Sequence, residues 1–333
     1  MTAVPGHPEL AEAVERLQGG GLVAFPTETV YGLGADAFSD AAVEGVFRLK
    51  GRPGRNPLIV HVADVAMART AVASWPLEAQ RLAERYWPGP LTLVVPKADI
   101  VPPRVTAGAS TVAVRCPDHP LTLALLRAFG RPLVGPSANP SGRVSPTAAD
   151  HVRAYFAPRQ VLVLDGGACR AGIESTVLSL ADPTFPVVLR PGVISAAELA
   201  ATLGRPVAAV DHHGAGAGPL AGPGMLPSHY APGTPARLVN AAELAAALRS
   251  PMPRVAALAI GQPTDLRGPH VLIPMAADAP TYARNLYAAL MRADAAGAER
   301  ILIERPPTGD ADPIWEAVLD RLHRATAPRD PGT

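Results

Sequence analysis

The sequence predicts an α/β protein with two domains. Short apolar runs bounded by Pro and Gly alternate with amphipathic segments of helical period along most of the chain. The length of 333 residues exceeds that of a typical single domain. A stretch at 209–236 rich in Gly, Ala and Pro has the composition of a linker. We therefore expect a first domain at 1–208, this linker, and a smaller C-terminal domain at 237–333.

The first region mixes helices and strands, which fits an α/β or α+β layer fold. Apolar residues at Val43, Val46 and Phe47 have the i, i+3, i+4 spacing of one buried helix face, and Ser39 or Asp40 can cap that helix. The other predicted helices are 10–17, 78–87, 121–129, 147–155 with Thr147 as its cap, and 195–203, which opens with a capping box. The predicted strands are 22–25, 58–62, 91–95, 111–115, 133–134, 161–164, 175–180 and 187–190, and small residues at 32–34 predict a loop.

The C-terminal region repeats the alternation on a smaller scale. Its predicted helices are 241–248, 282–295 and 314–323, and its predicted strands are 255–260, 271–273 and 300–304. Strands that alternate with helices favour a three-layer α/β unit with a mostly parallel sheet.

Composition limits the functional classes. With 30 basic and 29 acidic residues the net charge is +1, which argues against a surface that binds nucleic acid throughout, so any polyanion site must be local. Cys116 and Cys169 are far apart and no C-x-x-C occurs, which indicates a reducing compartment. The chain shows no signal-peptide pattern and no apolar run of about 20 residues. We expect a soluble, cytoplasmic protein that does not associate with membranes.

The strongest candidate site is the basic segment that follows the second helix. The loop contains four cationic residues and no carboxylate, and it lies between two apolar strands. Its cations are Arg48, Lys50, Arg52 and Arg55, and its Pro and Gly residues stiffen it. Such a loop is a plausible cradle for a polyanion, with Lys50 and Arg52 on phosphates and Asn56 as a polar partner. A solvated basic turn explains the same pattern about equally well.

A polar turn at 135–142 is the second candidate. Ser137 and Asn139 can donate hydrogen bonds to a ligand, although Ser/Asn turns are also common in ordinary loops. The resemblance of this turn to a G-x-S-x-G nucleophile elbow is rejected, because the last Gly is missing and prolines flank it. Neither a G-x-x-x-x-G-K-[ST] loop nor a G-x-G-x-x-G fingerprint that opens a helix is present.

Three further residues lie in or next to strands. Arg115 ends an apolar strand and can bind a carboxylate in fork geometry, but a structural salt bridge is the better interpretation from the pattern alone. His61 lies inside an apolar strand, where a satisfied core histidine is the more common case. Ser175 can face a ligand or simply belong to its turn. Residue patterns by themselves thus indicate a cleft protein that binds a phosphorylated ligand.

Six segments in this order and spacing resemble the YrdC-like family: FPTETVYGLGADA, KGRPGRNPLIVHV, WPGPLTLV, VAVRCP, GPSANPSG and STVL. The linker motif GMLPSHYAPGTP and the C-terminal region make the chain similar to the longer, two-domain members, which are L-threonylcarbamoyladenylate synthases. The resemblance implies an open, twisted, mixed α/β sheet around a large basic cavity. It also implies a smaller C-terminal domain of three-layer, Rossmann-like α/β architecture.

The reaction implied by the resemblance is a nucleotidyl transfer. L-threonine, bicarbonate and ATP give threonylcarbamoyl-AMP and pyrophosphate, with Mg²⁺ on the phosphates and no dedicated set of protein metal ligands. The product feeds the N6-threonylcarbamoyl modification of adenosine in tRNAs that read ANN codons. The implied partners are a downstream tRNA threonylcarbamoyl-transferase and, through a weak direct contact, tRNA itself.

The resemblance also assigns residues. Lys50 and Arg52 are expected to be catalytic, since they would stabilise the charge that develops towards pyrophosphate. The expected ATP-binding residues are Arg52, Asn56, Thr111, Ser137, Asn139, Ser145, Arg190 and Tyr230. The expected L-threonine-binding residues are Thr29, His61, Arg115 and Ser175, with Arg115 on the carboxylate. The linker patch 225–232 is expected to close over the site as a lid, with Tyr230 reaching the ligand.

Two other functions remain open at this point. One is a non-catalytic protein that binds double-stranded RNA or tRNA, which would show a steep salt dependence and no ATP consumption. The other is an enzyme that adenylates a different carbamoyl substrate. A plain carbamate has no amino-acid carboxylate and would not need Arg115.

Overall fold

A computed structural model describes residues 9–210, 229–261, 266–307 and 312–328. The chain divides into two compact units. The first takes its described residues from 9–141, 146–170 and 174–210, and the second from 142–145, 171–173 and the described part of 229–328. Two short loops of the first sequence region thus belong to the second unit. In the described part of the chain, no helix is both long and apolar enough to span a bilayer.

The helices of the first unit are α1 (Glu9–Gln18), α2 (Asp40–Lys50), α3 (Val65–Ala68), α4 (Leu77–Tyr86), α5 (Pro120–Phe129), α6 (Ala149–Tyr155) and α7 (Ala196–Leu203). Its strands are β1 (Val23–Phe25), β2 (Gly32–Asp36), β3 (Ile59–His61), β4 (Leu91–Pro96), β5 (Thr111–Arg115), β6 (Leu133–Val134), β7 (Leu162–Val163), β8 (Thr176–Ser179), β9 (Val187–Arg190) and β10 (Ala208–Ala209). Within the described residues these strands form one sheet in the order β10-β9-β8-β4-β5-β3-β6-β2-β1-β7. The sheet is mixed, because β3 and β5 are parallel whereas β4 and β5 are antiparallel. The predicted mixed sheet is confirmed.

The two faces of this sheet differ. Val60, Val112 and Val114 belong to the main core, together with buried residues of α2 and α4. The alternate residues Ile59 and Ala113 belong to a small separate cluster with Val94, Val177 and Leu189. Because side chains alternate along a strand, His61 lies on the same face as Ile59, and both Thr111 and Arg115 lie on the same face as Ala113. The face that carries the small cluster therefore also carries several predicted ligand residues.

Three local predictions about the first unit are wrong. The small residues predicted as a loop form β2, where Gly32 packs so closely under the Phe25 ring that a Cβ would come within 2.6 Å of Cζ. Lys50, expected in a loop, is the last residue of α2, which ends at Gly51 in the left-handed conformation (φ 60°). Thr147 does not cap α6, because the N-cap of that helix is Ala148. The backbone N–H of Thr147 donates to His151 Nδ1 instead.

The second unit contains the strands β11 (Ala236–Val239), β12 (Val255–Ile260), β13 (Val271–Met275) and β14 (Arg300–Glu304). Its helices are α8 (Ala241–Arg249), α9 (Ala279–Asp294) and α10 (Ile314–Thr326). All pairings in the order β11-β14-β12-β13 are parallel, which confirms the predicted smaller parallel sheet. The helix predicted to begin at 282 begins three positions earlier, because Asp278 accepts a hydrogen bond from the backbone N–H of Thr281 and caps it.

A single carboxylate joins three segments of the second unit. Asp294, at the end of α9, accepts hydrogen bonds from the backbone N–H groups of Gly233 and Thr234, both at 2.7 Å. It also pairs with Arg143 Nη2 at 3.2 Å. The loop 142–145 and the chain entering β11 are thereby fixed to α9.

Replacing Gly135 with Ala tests the close packing between β3 and the turn after β6. An added Cβ would lie 2.5 Å from His61 Nδ1 and 2.7 Å from Phe25 Cζ, so we expect Gly135→Ala to lower the free energy of unfolding. The expected loss is about 1–3 kcal/mol, measured by urea unfolding. Gly45→Ala in α2 is the control, because its Cβ would meet only Leu22 Cδ2 at 3.8 Å. Equal stability of the two variants would refute the tight fit.

Candidate functional site

Lys50 connects the end of α2 to the polar turn after β6. Its buried Nζ donates hydrogen bonds to the backbone carbonyl of Ser137 at 2.6 Å and to that of Asn139. Burial and the neighbouring Arg52 lower the pKa of Lys50 well below its ordinary value. A bound anion favours the charged form of this lysine, which has three N–H donors, so among the described residues the two carbonyls leave one donor for an anionic ligand.

Arg52 and Asn56 form the next part of the same site. Arg52 Nε donates to the backbone carbonyl of Asn56 at 3.0 Å and Nη2 donates to that of Pro57 at 2.8 Å, which closes the loop 52–57. The Asn56 residue is 0% exposed, and in the described part of the chain neither Oδ1 nor Nδ2 has a hydrogen-bond partner. An unsatisfied buried polar group costs about 1–3 kcal/mol, so this amide is suited to a polar ligand.

The turn that holds Ser137 and Asn139 is ordered by its own hydrogen bonds. The Asn139 N–H donates to the Ser137 carbonyl at 3.0 Å, and Asn139 Nδ2 donates to the Pro140 carbonyl at 2.9 Å. The backbone N–H of Ser141 donates to the Lys50 carbonyl at 2.7 Å. The structure therefore brings Lys50, Ser137 and Asn139 together. Thr111, another residue expected to contact ATP, is the first residue of β5 and pairs with Pro96 of β4.

Arg115 and His61 are neighbours across the parallel strands β5 and β3. Arg115 Nε donates to the Gly89 carbonyl at 3.3 Å, and Nη2 lies 2.8 Å from Glu28 Oε2. A salt bridge of Arg115, which was the better interpretation from the sequence pattern alone, is thus present. Its role on a substrate carboxylate stays a prediction. The His61 ring meets Phe25 edge-on, with 5.2 Å between centroids.

Thr29 is held by a defined chain of hydroxyl hydrogen bonds. Thr27 Oγ1 donates its proton to the Val30 carbonyl at 2.6 Å. The hydroxyl oxygens of Thr27 and Thr29 are 2.8 Å apart, and Thr27 Oγ1 also accepts hydrogen bonds from the backbone N–H groups of Thr29 and Val30, both at 3.1 Å. In either direction of this hydroxyl contact, the Thr29 oxygen keeps at least one lone pair, so it can accept a hydrogen bond from a ligand N–H or O–H.

Ser175 and Arg190 are also brought together. Arg190 donates to the Ser175 carbonyl through Nε at 3.1 Å and Nη2 at 3.0 Å, and to Ser175 Oγ at 3.1 Å. Ser175 Oγ also contacts Thr92 Oγ1 at 2.8 Å. Arg190, expected to contact ATP, thus lies beside a residue expected to contact L-threonine.

Ser145 and Tyr230 belong to the second unit. The Tyr230 ring packs against His229 and Tyr287, with centroids 4.1 and 5.5 Å away, and the Arg321 guanidinium lies 5.8 Å from its centroid. Its backbone has φ 63°, a conformation uncommon for a non-glycine residue. Residues 225–228 of the predicted lid, and the linker before them from 211, lie outside the described residues, so the lid stays a prediction.

The structure adds two polar residues that sequence reasoning did not select. Glu28 faces Arg115, and Thr92 faces Ser175. Glu28 had a visible signal, since it is a carboxylate in a turn directly after a buried strand and beside Thr29. Thr92 gave none, because a threonine within an apolar strand is common.

The buried histidine predicts how stability depends on pH. Burial and the charge of Arg115 lower the pKa of His61 well below 6.5, so the unfolded chain binds more protons than the folded one below that pH. The free energy of unfolding should fall as the pH drops below about 6.5, by up to ~1.4 kcal/mol per pH unit for this group. Urea unfolding from pH 7 to 5 measures the slope, and His61→Gln should make it shallower. Equal slopes in the two proteins would contradict a depressed pKa of His61.

Family models match both regions of the chain. The model Sua5_yciO_yrdC, described as "Telomere recombination", matches residues 15–192. A second model, "Threonylcarbamoyl-AMP synthase, C-terminal domain", matches residues 194–327.

Individual relatives agree with the family models. A threonylcarbamoyl-AMP synthase of Pyrococcus abyssi is 38% identical over 319 residues, which cover 93% of this chain and 92% of that protein. A Bacillus subtilis protein of the same name is 48% identical over 68% of this chain, and the match spans 66% of that relative's length. The solved structure described as P. abyssi Sua5 complexed with L-threonine has a TM-score of 0.86 and 37% identity, covering 96% of this chain and 94% of its own.

Proposed function

This chain belongs to the Sua5_yciO_yrdC family, in the two-domain form with the threonylcarbamoyl-AMP synthase C-terminal domain, and from this premise we propose its reaction. It condenses L-threonine, bicarbonate and ATP into threonylcarbamoyl-AMP and releases pyrophosphate. The observation that carries the proposal is the sheet of the first unit. Two groups of residues belong to this sheet and the turns beside it: a cationic cluster with amide side chains around Lys50, and a separate cluster around Arg115 that suits an amino acid.

We assign the phosphates of ATP to the Lys50 cluster. The remaining N–H of Lys50 and the unsatisfied amide of Asn56 suit phosphate oxygens, and Arg52 adds a second positive charge. Ser137, Asn139 and Thr111 would contribute polar contacts to the nucleotide. Fixed donors aimed at oxygens whose charge grows during the reaction stabilise the transition state without having to reorganise. Mg²⁺ carried on the phosphates would neutralise further charge there.

We assign L-threonine to the Arg115 cluster. Arg115 would bind the carboxylate, and Thr29 and Ser175 would offer hydroxyl partners to the polar groups of the substrate. The lowered pKa of His61 keeps its imidazole neutral near pH 7, so the ring can donate a hydrogen bond to a hydroxyl group or accept one from it. A site built to pair with a hydroxyl rejects an analogue that lacks it.

The chemistry then needs no covalent protein intermediate. The threonine amine and bicarbonate form a carbamate with loss of water, the carbamate oxygen attacks the α-phosphorus of ATP, and pyrophosphate leaves. The protein contributes proximity and electrostatic stabilisation. The product is consumed in the cytoplasm by a tRNA threonylcarbamoyl-transferase that modifies tRNAs reading ANN codons.

An omission series tests this function. Purified full-length protein is incubated with ATP, Mg²⁺, bicarbonate and L-threonine, each is left out in turn, and pyrophosphate release is followed. Release that requires both threonine and bicarbonate supports the proposal. Release that is indifferent to threonine would indicate another carbamoyl substrate, and RNA binding without any release would indicate a binding protein.

A further inference from the structure

Glu28 is a buried carboxylate for which the assignments above have no use. It lies in the turn after β1, is 4% exposed, and its Oε2 is 2.8 Å from Nη2 of Arg115, itself 3% exposed. In the described residues, neither carboxylate oxygen of Glu28 nor Nη2 of Arg115 has a hydrogen bond of acceptable geometry. The two charges are thus close together but poorly aligned for hydrogen bonding.

This situation is unfavourable unless another group completes it. A carboxylate offers about four lone-pair positions, and a buried ion pair is stable only when further hydrogen bonds satisfy both partners. The nearby His119 does not supply a proton, because its Nε2 contacts the Gly166 carbonyl and burial lowers its pKa, leaving Nδ1 as an acceptor. Among the described residues, Arg115 is thus the cation beside Glu28, and their contact leaves the lone pairs of the carboxylate without a well-aligned hydrogen bond.

The free form of an α-amino acid carries one positive and one negative charge, and each is opposite to the charge of one member of this pair. Its ammonium and carboxylate are joined through a single carbon, so they can lie head to tail against a neighbouring carboxylate and guanidinium. Arg115 keeps N–H donors beyond the Nε bond to Gly89, and these suit the substrate carboxylate. The lone pairs of Glu28 suit the ammonium.

We propose that Glu28 is the binding site for the α-ammonium group of the amino-acid substrate, and that it selects α-amino acids over α-hydroxy acids. This inference rests on the proposed function, because it takes the substrate to be L-threonine. In it, the Glu28–Arg115 pair stays together when the substrate binds and each member receives the opposite charge of the ligand. Thr29, directly next to Glu28 in the chain, offers an acceptor oxygen to the same end of the ligand.

A different role for Glu28 makes the opposite prediction. If Glu28 only neutralises Arg115, it competes with the substrate carboxylate for the guanidinium. Removing its charge would then strengthen binding of the substrate. The direction of the change in affinity decides between the two roles.

The test is calorimetric titration of L-threonine, without bicarbonate, into the full-length protein and its Glu28→Gln variant. A second ligand is 2,3-dihydroxybutanoate, in which a hydroxyl replaces the ammonium. We expect Glu28→Gln to weaken L-threonine binding about 10- to 100-fold, because a charge-assisted hydrogen bond is lost, and to leave binding of the dihydroxy acid unchanged. Glu44→Gln, which alters a surface pair with Arg104 at a side chain that is 53% exposed, is the matched control.

Each outcome has a distinct meaning. Equal or tighter L-threonine binding by Glu28→Gln, with ATP binding retained, overturns the ammonium site alone. Absence of L-threonine binding by the unaltered protein overturns the proposed function as well. If Glu28→Gln does not fold, the unaltered protein decides: binding of L-threonine at least tenfold tighter than the dihydroxy acid supports the site, and equal binding overturns it.

Discussion

Lys50→Met is expected to lower the rate of pyrophosphate release by about two to three orders of magnitude. The variant removes the positive charge that two backbone carbonyls hold in place, together with the donor left for a phosphate oxygen. Methionine matches the length of the lysine stem and favours helices, so α2 should still form up to this position. The rate is measured in a single turnover with ATP and L-threonine in excess of their dissociation constants, which separates the chemical step from binding.

The chain offers a close control for this change. Lys97 is the only other lysine, and its Nζ donates to the Val101 carbonyl at 3.0 Å in a loop after β4. Lys97→Met should leave the rate within about twofold, since the Nζ group donates to the carbonyls of Ala98 and Val101, neither of which is a predicted site residue. A folded Lys50→Met variant with more than a tenth of the original rate would contradict the catalytic role of Lys50.

Arg115→Met should produce the largest loss of stability. It leaves the Glu28 carboxylate buried without its partner, and breaking a buried pair in this way costs about 3–5 kcal/mol. Adding Glu28→Gln removes the stranded charge, so the double variant should recover most of the lost free energy of unfolding. The L-threonine-dependent reaction should not recover, because both groups expected to bind the substrate are gone. Urea unfolding of the four proteins, the unaltered chain included, gives the coupling energy of the pair.

A surface pair serves as the comparison for this cycle. Arg237 pairs with Glu243 at 3.3 Å, and the two side chains are 72% and 46% exposed. Arg237→Met should change the free energy of unfolding by less than about 1 kcal/mol. If Arg115→Met is as stable as the unaltered protein, or if the double variant is no more stable than Arg115→Met, the buried pair is not coupled as described.

Elements whose signal is local were predicted well from the sequence. The strands Thr111–Arg115, Val255–Ile260 and Arg300–Glu304 have the predicted bounds, because each is a short apolar run between strong turn signals. The capping box at Ser195 is present with both of its hydrogen bonds. Strand Gly32–Asp36 was missed because its glycines are required by the Phe25 ring of the neighbouring strand, and that contact is not visible in the residues themselves.

The candidate site likewise combines residues that are near one another in the sequence with contacts that form only in the folded chain. Lys50, Arg52 and Asn56 are close together in the sequence, and their residue types predict a phosphate site or, about equally well, a solvated basic turn. The two carbonyls that hold Lys50 belong to a turn far along the chain, and backbone atoms leave no trace in residue types. The pairing of Glu28 with Arg115 likewise depends on where β1 and β5 end in the folded sheet. Only the three-dimensional structure could reveal these contacts.

The most direct test of the proposed reaction follows the carbon of bicarbonate. The protein is incubated with ATP, Mg²⁺, L-threonine and either ¹³C-labelled or unlabelled bicarbonate, and the nucleotide products are identified by mass spectrometry. We predict threonylcarbamoyl-AMP that is heavier by one mass unit in the labelled reaction and absent when threonine is omitted. An adenylate that carries no label, or one that forms equally well without threonine, would contradict the account.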